Sequence, residues 1–244
     1  MKTLYDEVKH RRRNRLNLWD NARLLMADVP LDRTKAARAL PLGMWPGSKP
    51  RATLFIVNYT KTSFTVPYHE AAMLIHVRTP LGRGLHCNWM IVDDDTALIY
   101  GRELLGFPKK MGAFTFTEKG NAVKASVTRR GVTVLSMSGT LGAKDAKPLP
   151  FFDRNIFNVS GMGQWFLFNP IWLLRTKENI RESRAAEVSL TAKDSEFDPI
   201  ASMISGPPEN GRMVVLDIIS SRYLVPVGCA GPFWFSRNFR ARFR

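Results

Sequence analysis

The chain has 244 residues, is 45% hydrophobic, and carries 36 Lys and Arg against 21 Asp and Glu, a net charge of +15. That is enough apolar material for a full core in one large domain or two tightly joined halves. No stretch reaches the about 18 uninterrupted apolar residues a membrane helix needs, so a span of that kind is excluded.

In chain order the elements are mostly strands. Residues 3–26 space Leu4, Val8, Leu16, Trp19, Leu24 and Leu25 in a way that predicts a basic helix. Residues 30–50 form a Pro-rich connection with a helical stretch from Arg33 to Leu40. Seven short runs rich in β-branched and aromatic residues follow, at 53–58, 71–77, 88–92, 97–100, 113–117, 122–129 and 132–140, with turns such as Arg130-Gly131 between them. Residues 163–174 are apolar, 184–192 read as strand, and 212–227 read as strand or buried helix. Strands in this number, without long helices between them, predict an α+β fold dominated by antiparallel sheet or barrel with peripheral helices. No repeat or low-complexity tract interrupts it, and one domain over 1–244 is the expectation.

The charge is concentrated at the ends. Residues 1–24, a basic N-terminal segment, hold seven basic side chains against three acidic ones, and 231–244 add four arginines with no acid. The tail from Pro232 to Arg244 interleaves aromatics with arginines. That pattern suits stacking on nucleic acid, and it suits docking on a neighbouring subunit through apolar and cation–π contacts. Docking is favoured, because no nucleic-acid-binding signature accompanies the tail. Met1 to Asp6 lack the plan of a secretory signal, and Cys87 and Cys229 lack metal spacing, so a cytoplasmic protein with reduced thiols is expected.

One segment is richer in chemistry than the rest. Gly101-Arg102-Glu103-Leu104-Leu105-Gly106-Phe107-Pro108-Lys109-Lys110 sets two lysines after a Gly-Phe-Pro step, downstream of the strand-like run Ala97, Leu98, Ile99. Pro108 fixes its own φ and biases Phe107 to an extended conformation, so the lysines sit at a defined bend. A lysine against apolar walls is costly to charge, and a second ammonium beside it adds to that cost. Both effects favour the neutral amine, the form that attacks a carbonyl to make a Schiff base. A Lys-Lys pair in so basic a chain is more often solvated surface charge; the rigid, apolar setting argues for the sharper reading.

The string from Gly101 to Gly112 resembles the signature of the acetoacetate decarboxylase family, and Asn88 to Asp95 fits that family's strand and acidic turn. A looser likeness runs from about Arg23 to Gly228. The resemblance implies that Lys109 forms the Schiff base, that Lys110 helps lower its pKa, and that Glu70 is the active-site glutamate. Arg23 is the nearest candidate for the family's substrate-facing arginine. A second carboxylate of the decarboxylase proper is here Phe55, which makes the pocket more apolar and puts strict acetoacetate decarboxylation in question. The resemblance also implies a homo-oligomer without an organic cofactor.

The chemistry expected is decarboxylation of a β-keto acid through a lysine imine. Phe55, Met90 and Phe107 would form an apolar wall, Arg23 would orient the substrate carboxylate, and Glu70 would shuttle a proton. Two ammonium groups about 6 Å apart repel by roughly 3 kcal/mol at an effective dielectric of about 20. Neighbours on a regular strand point to opposite faces, however, and Lys110 then aims away from the pocket, leaving burial to supply most of the effect. An aldolase–dehydratase joining pyruvate or a related keto acid to an aldehyde is the second reading, which Phe55 favours. A basic nucleic-acid-binding protein that has kept only the fold is the third.

Other motifs fail on composition. His69-Glu70-Ala71-Ala72-Met73 opens like a zincin motif but has methionine where the second histidine must stand. Asp93-Asp94-Asp95 reads as a solvated turn rather than a metal site. Gly161-Met162-Gly163 lacks the third glycine of a dinucleotide fingerprint. No metal is expected; His76 and His86 read as core or rim residues, and Cys87 as a small buried apolar group.

Overall fold

The computed structural model describes residues 17–145, 150–160 and 169–243. Among them are twelve strands: β1 (Trp19–Pro30), β2 (Trp45–Pro46), β3 (Arg51–Thr62), β4 (Tyr68–Thr79), β5 (Gly82–Val92), β6 (Lys109–Met111), β7 (Ala113–Lys119), β8 (Ala122–Arg129), β9 (Val132–Lys144), β10 (Ile156–Val159), β11 (Asn169–Ala192) and β12 (Glu209–Ala230). Three α-helices accompany them: α1 (Arg33–Ala39), α2 (Asp95–Leu105) and α3 (Pro232–Phe243). This is the mostly antiparallel α+β architecture with peripheral helices that the strand-rich sequence predicts.

The sheet runs β10-β5-β4-β3-β1-β12-β11-β9-β8-β7, and β10 also pairs with β11. Seven strands therefore form a ring around an interior. It is not a regular barrel: closure rests on a single parallel bridge, Ile156 to Leu85, and β9, β8 and β7 leave the ring from the far half of β11. The two faces bury separate clusters. Phe55, Val57 and Tyr59 of β3 and Ala72 and Leu74 of β4 face the interior; Leu54, Ile56, Met73 and Ile75 face outward, beneath the β8–β9 arm and α3. This is period-two alternation with both faces apolar, so these strands read as continuous hydrophobic runs.

Two sequence expectations are overturned. The helix expected over 3–26 lies in part outside the described residues; from Trp19 onward the chain is strand β1. Asn21 adopts φ +53° and breaks the register between Trp19 and Ala22. Its bulge scrambles the alternation, so the apolar spacing imitates a helix. Conversely, residues 97–100 lie in α2, not in a strand. The Asp94 side chain accepts from Ala97 N–H at 2.7 Å, and Gly106, at φ +68°, ends the helix. Four apolar residues are too few to show a 3.6-residue period, and the cap was the better signal.

The C-terminal tail is helical: residues 232–243 form α3, which packs Trp234, Phe235 and Arg242 into its own chain and leaves Phe233 exposed. Trp234 Nε1–H donates to the Ala39 carbonyl at 2.9 Å, and the Arg242 guanidinium donates to the carbonyls of Gly106 and Val159. Among the described residues, no helix is long and apolar enough to cross a membrane.

Candidate active site

The ring interior opens into a cavity of about 680 Å³, lined by Phe55, Glu70, Met90, Phe107 and Lys109 among others. Lys109 enters it because β6 runs parallel to β5 with Lys109 opposite Met90, an interior residue. Lys110 pairs with Ile91, whose side chain belongs to the outer cluster. The two lysines therefore project to opposite faces, as strand geometry requires.

The preceding turn is tightly held. Phe107 N–H donates to the Gly101 carbonyl at 3.0 Å, and Lys109 N–H closes back on the Phe107 carbonyl at 2.8 Å, across Pro108. Arg102 donates to the carbonyls of Lys109 at 2.8 Å and of Arg242 at 3.0 Å, tying β6 to both helices. Gly101 leaves room for the lysine itself: a Cβ there would lie 2.5 Å from Lys109 Cδ and 3.0 Å from Nζ.

Within the cavity, Lys109 Nζ lies 2.7 Å from a Glu70 carboxylate oxygen, and each side chain is only 6% exposed. Glu70 stands on β4 with Tyr68, Ala72 and Leu74 on the same interior face. The Tyr68 ring centroid is 5.6 Å from Nζ, Tyr59 Oη donates to the other Glu70 oxygen at 3.5 Å, and Trp19 Nε1 donates to Tyr68 Oη at 3.0 Å. Burial, reinforced by the charge of Glu70, pushes both phenols well above the usual tyrosine range. They remain protonated and can act as donors. Elsewhere the walls are hydrocarbon, from Phe55, Leu74, Met90, Ile156 and Leu174.

Lys110 belongs to a different buried group. Its Nζ donates to the Phe197 carbonyl at 2.9 Å and to Asp198. Trp89 Nε1 donates to the same Asp198 oxygen as Lys110 at 2.9 Å, and the other oxygen takes Arg129 Nη1 at 3.0 Å. One carboxylate thus faces two cations. Burial, with Arg129 and Arg102 opposing Asp198, pulls Lys110 down to about 8, while Lys110 and Arg129 hold the Asp198 carboxyl below its ordinary value despite its burial.

Of the residues singled out from sequence, Lys109, Glu70, Phe55, Met90 and Phe107 meet at one cavity. Arg23 does not. It lies on the outward face of β1, beside Leu25, and its Nε donates to Glu118 at 2.6 Å on β7. Beyond the Asn21 bulge the odd-numbered positions of β1, Leu25, Ala27 and Val29 among them, face away from the cavity, so no carboxylate clamp is provided from Arg23. Sequence reasoning missed Tyr59, Tyr68, Gly101 and Asp198. The alternation Tyr59–Glu70–Tyr68 across paired strands could have exposed the first two, and the need of a buried Lys110 for an anion could have exposed Asp198.

The other motifs on described residues have structural partners, while Gly161-Met162-Gly163 lies outside the described residues. Asp93 accepts from His69 N–H and its ring, Asp94 caps α2, and His86 is fully buried against the Phe157 carbonyl. Burial pushes the Cys87 thiol up, as fits an inert core residue. Among the described residues, no three His, Cys, Asp or Glu side chains gather as a metal site. A second cavity, about 620 Å³, is lined by exposed or half-buried cations such as Lys49, Arg78 and Arg83 and holds no buried lysine.

With this geometry in view, the profile of the acetoacetate decarboxylase (ADC) family matches residues 7–230. The chain belongs to the acetoacetate decarboxylase family. The acetoacetate decarboxylase of Legionella pneumophila subsp. pneumophila superposes with a TM-score of 0.73 at 15% identity, covering 87% of this chain and 85% of that one. An acetoacetate decarboxylase-like enzyme from Sphingomonas wittichii RW1 gives 0.71 at 17% identity, covering 85% and 92%. The enduracididine biosynthesis enzyme MppR, solved with the condensation product of pyruvate and imidazole 4-carboxaldehyde, gives 0.70 at 14% identity, covering 84% and 87%. At such identities the likeness speaks for the fold. No curated protein matches the chain significantly.

Proposed function

We propose that the chain is a Schiff-base-forming lyase that decarboxylates a β-keto acid on Lys109. The observation that carries this reading is the amine of Lys109, buried in an apolar cavity 2.7 Å from Glu70. At that separation one proton moving across the contact converts ammonium and carboxylate into amine and carboxylic acid. A low-dielectric pocket disfavours the charged pair relative to water. Membership of an enzyme family with this lysine motif supports the same reading.

The steps follow from these groups. The amine adds to the substrate ketone, and the hydroxyl of the carbinolamine leaves as water with the proton held by Glu70. The resulting iminium accepts the electron pair of the carbon–carboxylate bond as CO₂ departs, giving an enamine. Protonation of the enamine carbon by water, or by Glu70 once it has taken a proton back from solvent, and hydrolysis of the new iminium release the ketone and regenerate Lys109. Proton transfer by a positioned carboxyl is worth about 10²- to 10⁴-fold. The apolar walls weaken solvation of the substrate carboxylate and so favour its loss as neutral CO₂.

A second reading is favoured by Phe55. It is fully buried in the cavity wall, edge-on to Phe151 and Phe152 at 5.6 and 5.9 Å between ring centroids, where the family resemblance has a second carboxylate. The same enamine chemistry without that group suits aldol condensation and dehydration of pyruvate with an aldehyde. The two readings separate by product: CO₂ released from a β-keto acid, or an unsaturated keto acid formed from pyruvate and an aldehyde, each lost in Lys109→Ala. Neither product above the Lys109→Ala background would refute both. The buried, folded-back α3 argues against a nucleic-acid role for the aromatic tail.

A further inference from the structure

We infer that the substrate of this cavity carries a long apolar tail, a chain of roughly eight carbons or an equivalent ring, beyond the carbonyl that reaches Lys109. The inference rests on the reading that Lys109 is the nucleophile and names the class of molecule it acts on.

Volume is the first ground. The cavity measures about 680 Å³, inside the roughly 300–1,000 Å³ range that encloses drug-sized ligands. At about 30 Å³ per water-sized group it has room for some twenty such groups. A four-carbon keto acid would fill about a third of that space.

The distribution of polarity is the second. Lys109 and Glu70 place charged groups at one locus, whereas Phe55, Leu74, Phe152, Ile156, Leu174 and Ile218 line much of the remainder with hydrocarbon. Each of these six is buried, although it borders the cavity. Five of them belong to ring strands β3, β4, β10, β11 and β12, and Phe152 to the segment before β10, so most of this apolar wall is set by the ring. The hydroxyl of Thr176 is already committed to the Phe152 carbonyl at 2.8 Å, and Ser220 and Ser221 lie exposed at the rim. A small polar substrate would leave this surface against trapped water, and an apolar tail would cover it.

The tail has a measurable signature. Burying one methylene in such a wall strengthens binding by about fourfold. Methyl ketones from 2-butanone to 2-decanone, trapped on the wild-type protein with cyanoborohydride, test this by the concentration giving half-maximal adduct on the Lys109 peptide. That concentration should fall by about fourfold per added methylene until the cavity is full. A flat or rising series overturns the tail while leaving Lys109 as nucleophile. Calorimetric binding of the same ketones distinguishes the reverse case. If no ketone labels Lys109 yet affinity climbs with length, the tail stands and the lysine reading falls. If neither labelling nor affinity depends on length, the tail is refuted. Leu174→Phe, which narrows the wall, should flatten the upper end of the series; should that variant not fold, the wild-type series decides alone.

Discussion

Lys109 and Lys110 are adjacent in sequence and serve opposite faces of one three-residue strand, the first ion-paired with Glu70 and the second with Asp198. The lysine pair is therefore not a matched pair of ammonium groups in one pocket. Lys110 meets Asp198 behind the wall, on the face opposite the cavity that Lys109 enters. Desolvation and Glu70 are what the Lys109 amine meets directly.

That arrangement makes stability depend on pH. Free lysine titrates near about 10.4, while Lys110 in the fold is pulled down to about 8. Between those values the unfolded chain holds the extra proton, so stability rises with pH, by up to about 3 kcal/mol from this group. Above about 10 the buried Tyr59 and Tyr68 reverse the trend, because unfolded phenols ionise first and the folded ones stay protonated. Urea midpoints should climb from pH 8 to about 10 in the wild type. In Lys110→Met, where Asp198 keeps Arg129 and Trp89 as partners, that rise should vanish.

Gly101 is where helix α2 gives way to the lysine. Gly101→Ala gains about 1 kcal/mol of helix propensity and sets a Cβ against the Lys109 side chain, an overpacking cost of about 1–3 kcal/mol. The net change in stability should be small. Turnover should drop by more than tenfold because the amine is displaced. A variant with normal turnover would show that the lysine is free to move aside.

Glu70→Gln keeps the shape of the site and removes its proton carrier. Product formation should fall by about a hundredfold or more, and borohydride trapping of substrate on Lys109 should slow with it, because Glu70 supplies the proton that leaves with the carbinolamine hydroxyl. Undiminished trapping with lost turnover would remove Glu70 from imine formation and leave it only the protonation of the enamine.

Arg23→Gln should leave turnover and KM within about twofold. Its guanidinium is held by Glu118, with the pair's side chains 32% and 24% exposed, and a pair of that kind is worth about 0–1 kcal/mol. A tenfold rise in KM would return Arg23 to the substrate.

The lysine bend and Glu70 were legible because they are local: a Gly-Phe-Pro-Lys-Lys string, and a carboxylate on an apolar run. Phe55, Met90 and Phe107 could be named as wall residues from their character alone. Arg23 was misjudged because its place depends on parity along β1, where a one-residue slip moves a side chain to the other face, and the bulge at Asn21 hid that parity. Asp198 sits 88 residues from Lys110 in sequence, and only the folded sheet brings them together. The ring and its closure were out of reach for the same reason, since the β10–β5 contact is one bridge between residues of no special character.

The most direct test of the account is borohydride reduction in the presence of a keto substrate, followed by peptide mapping of the adduct. The account expects one added mass per chain, on the peptide containing Lys109, and none in Lys109→Ala. Adducts spread over surface lysines, or an unmodified Lys109 in a protein that still turns over the substrate, would contradict it.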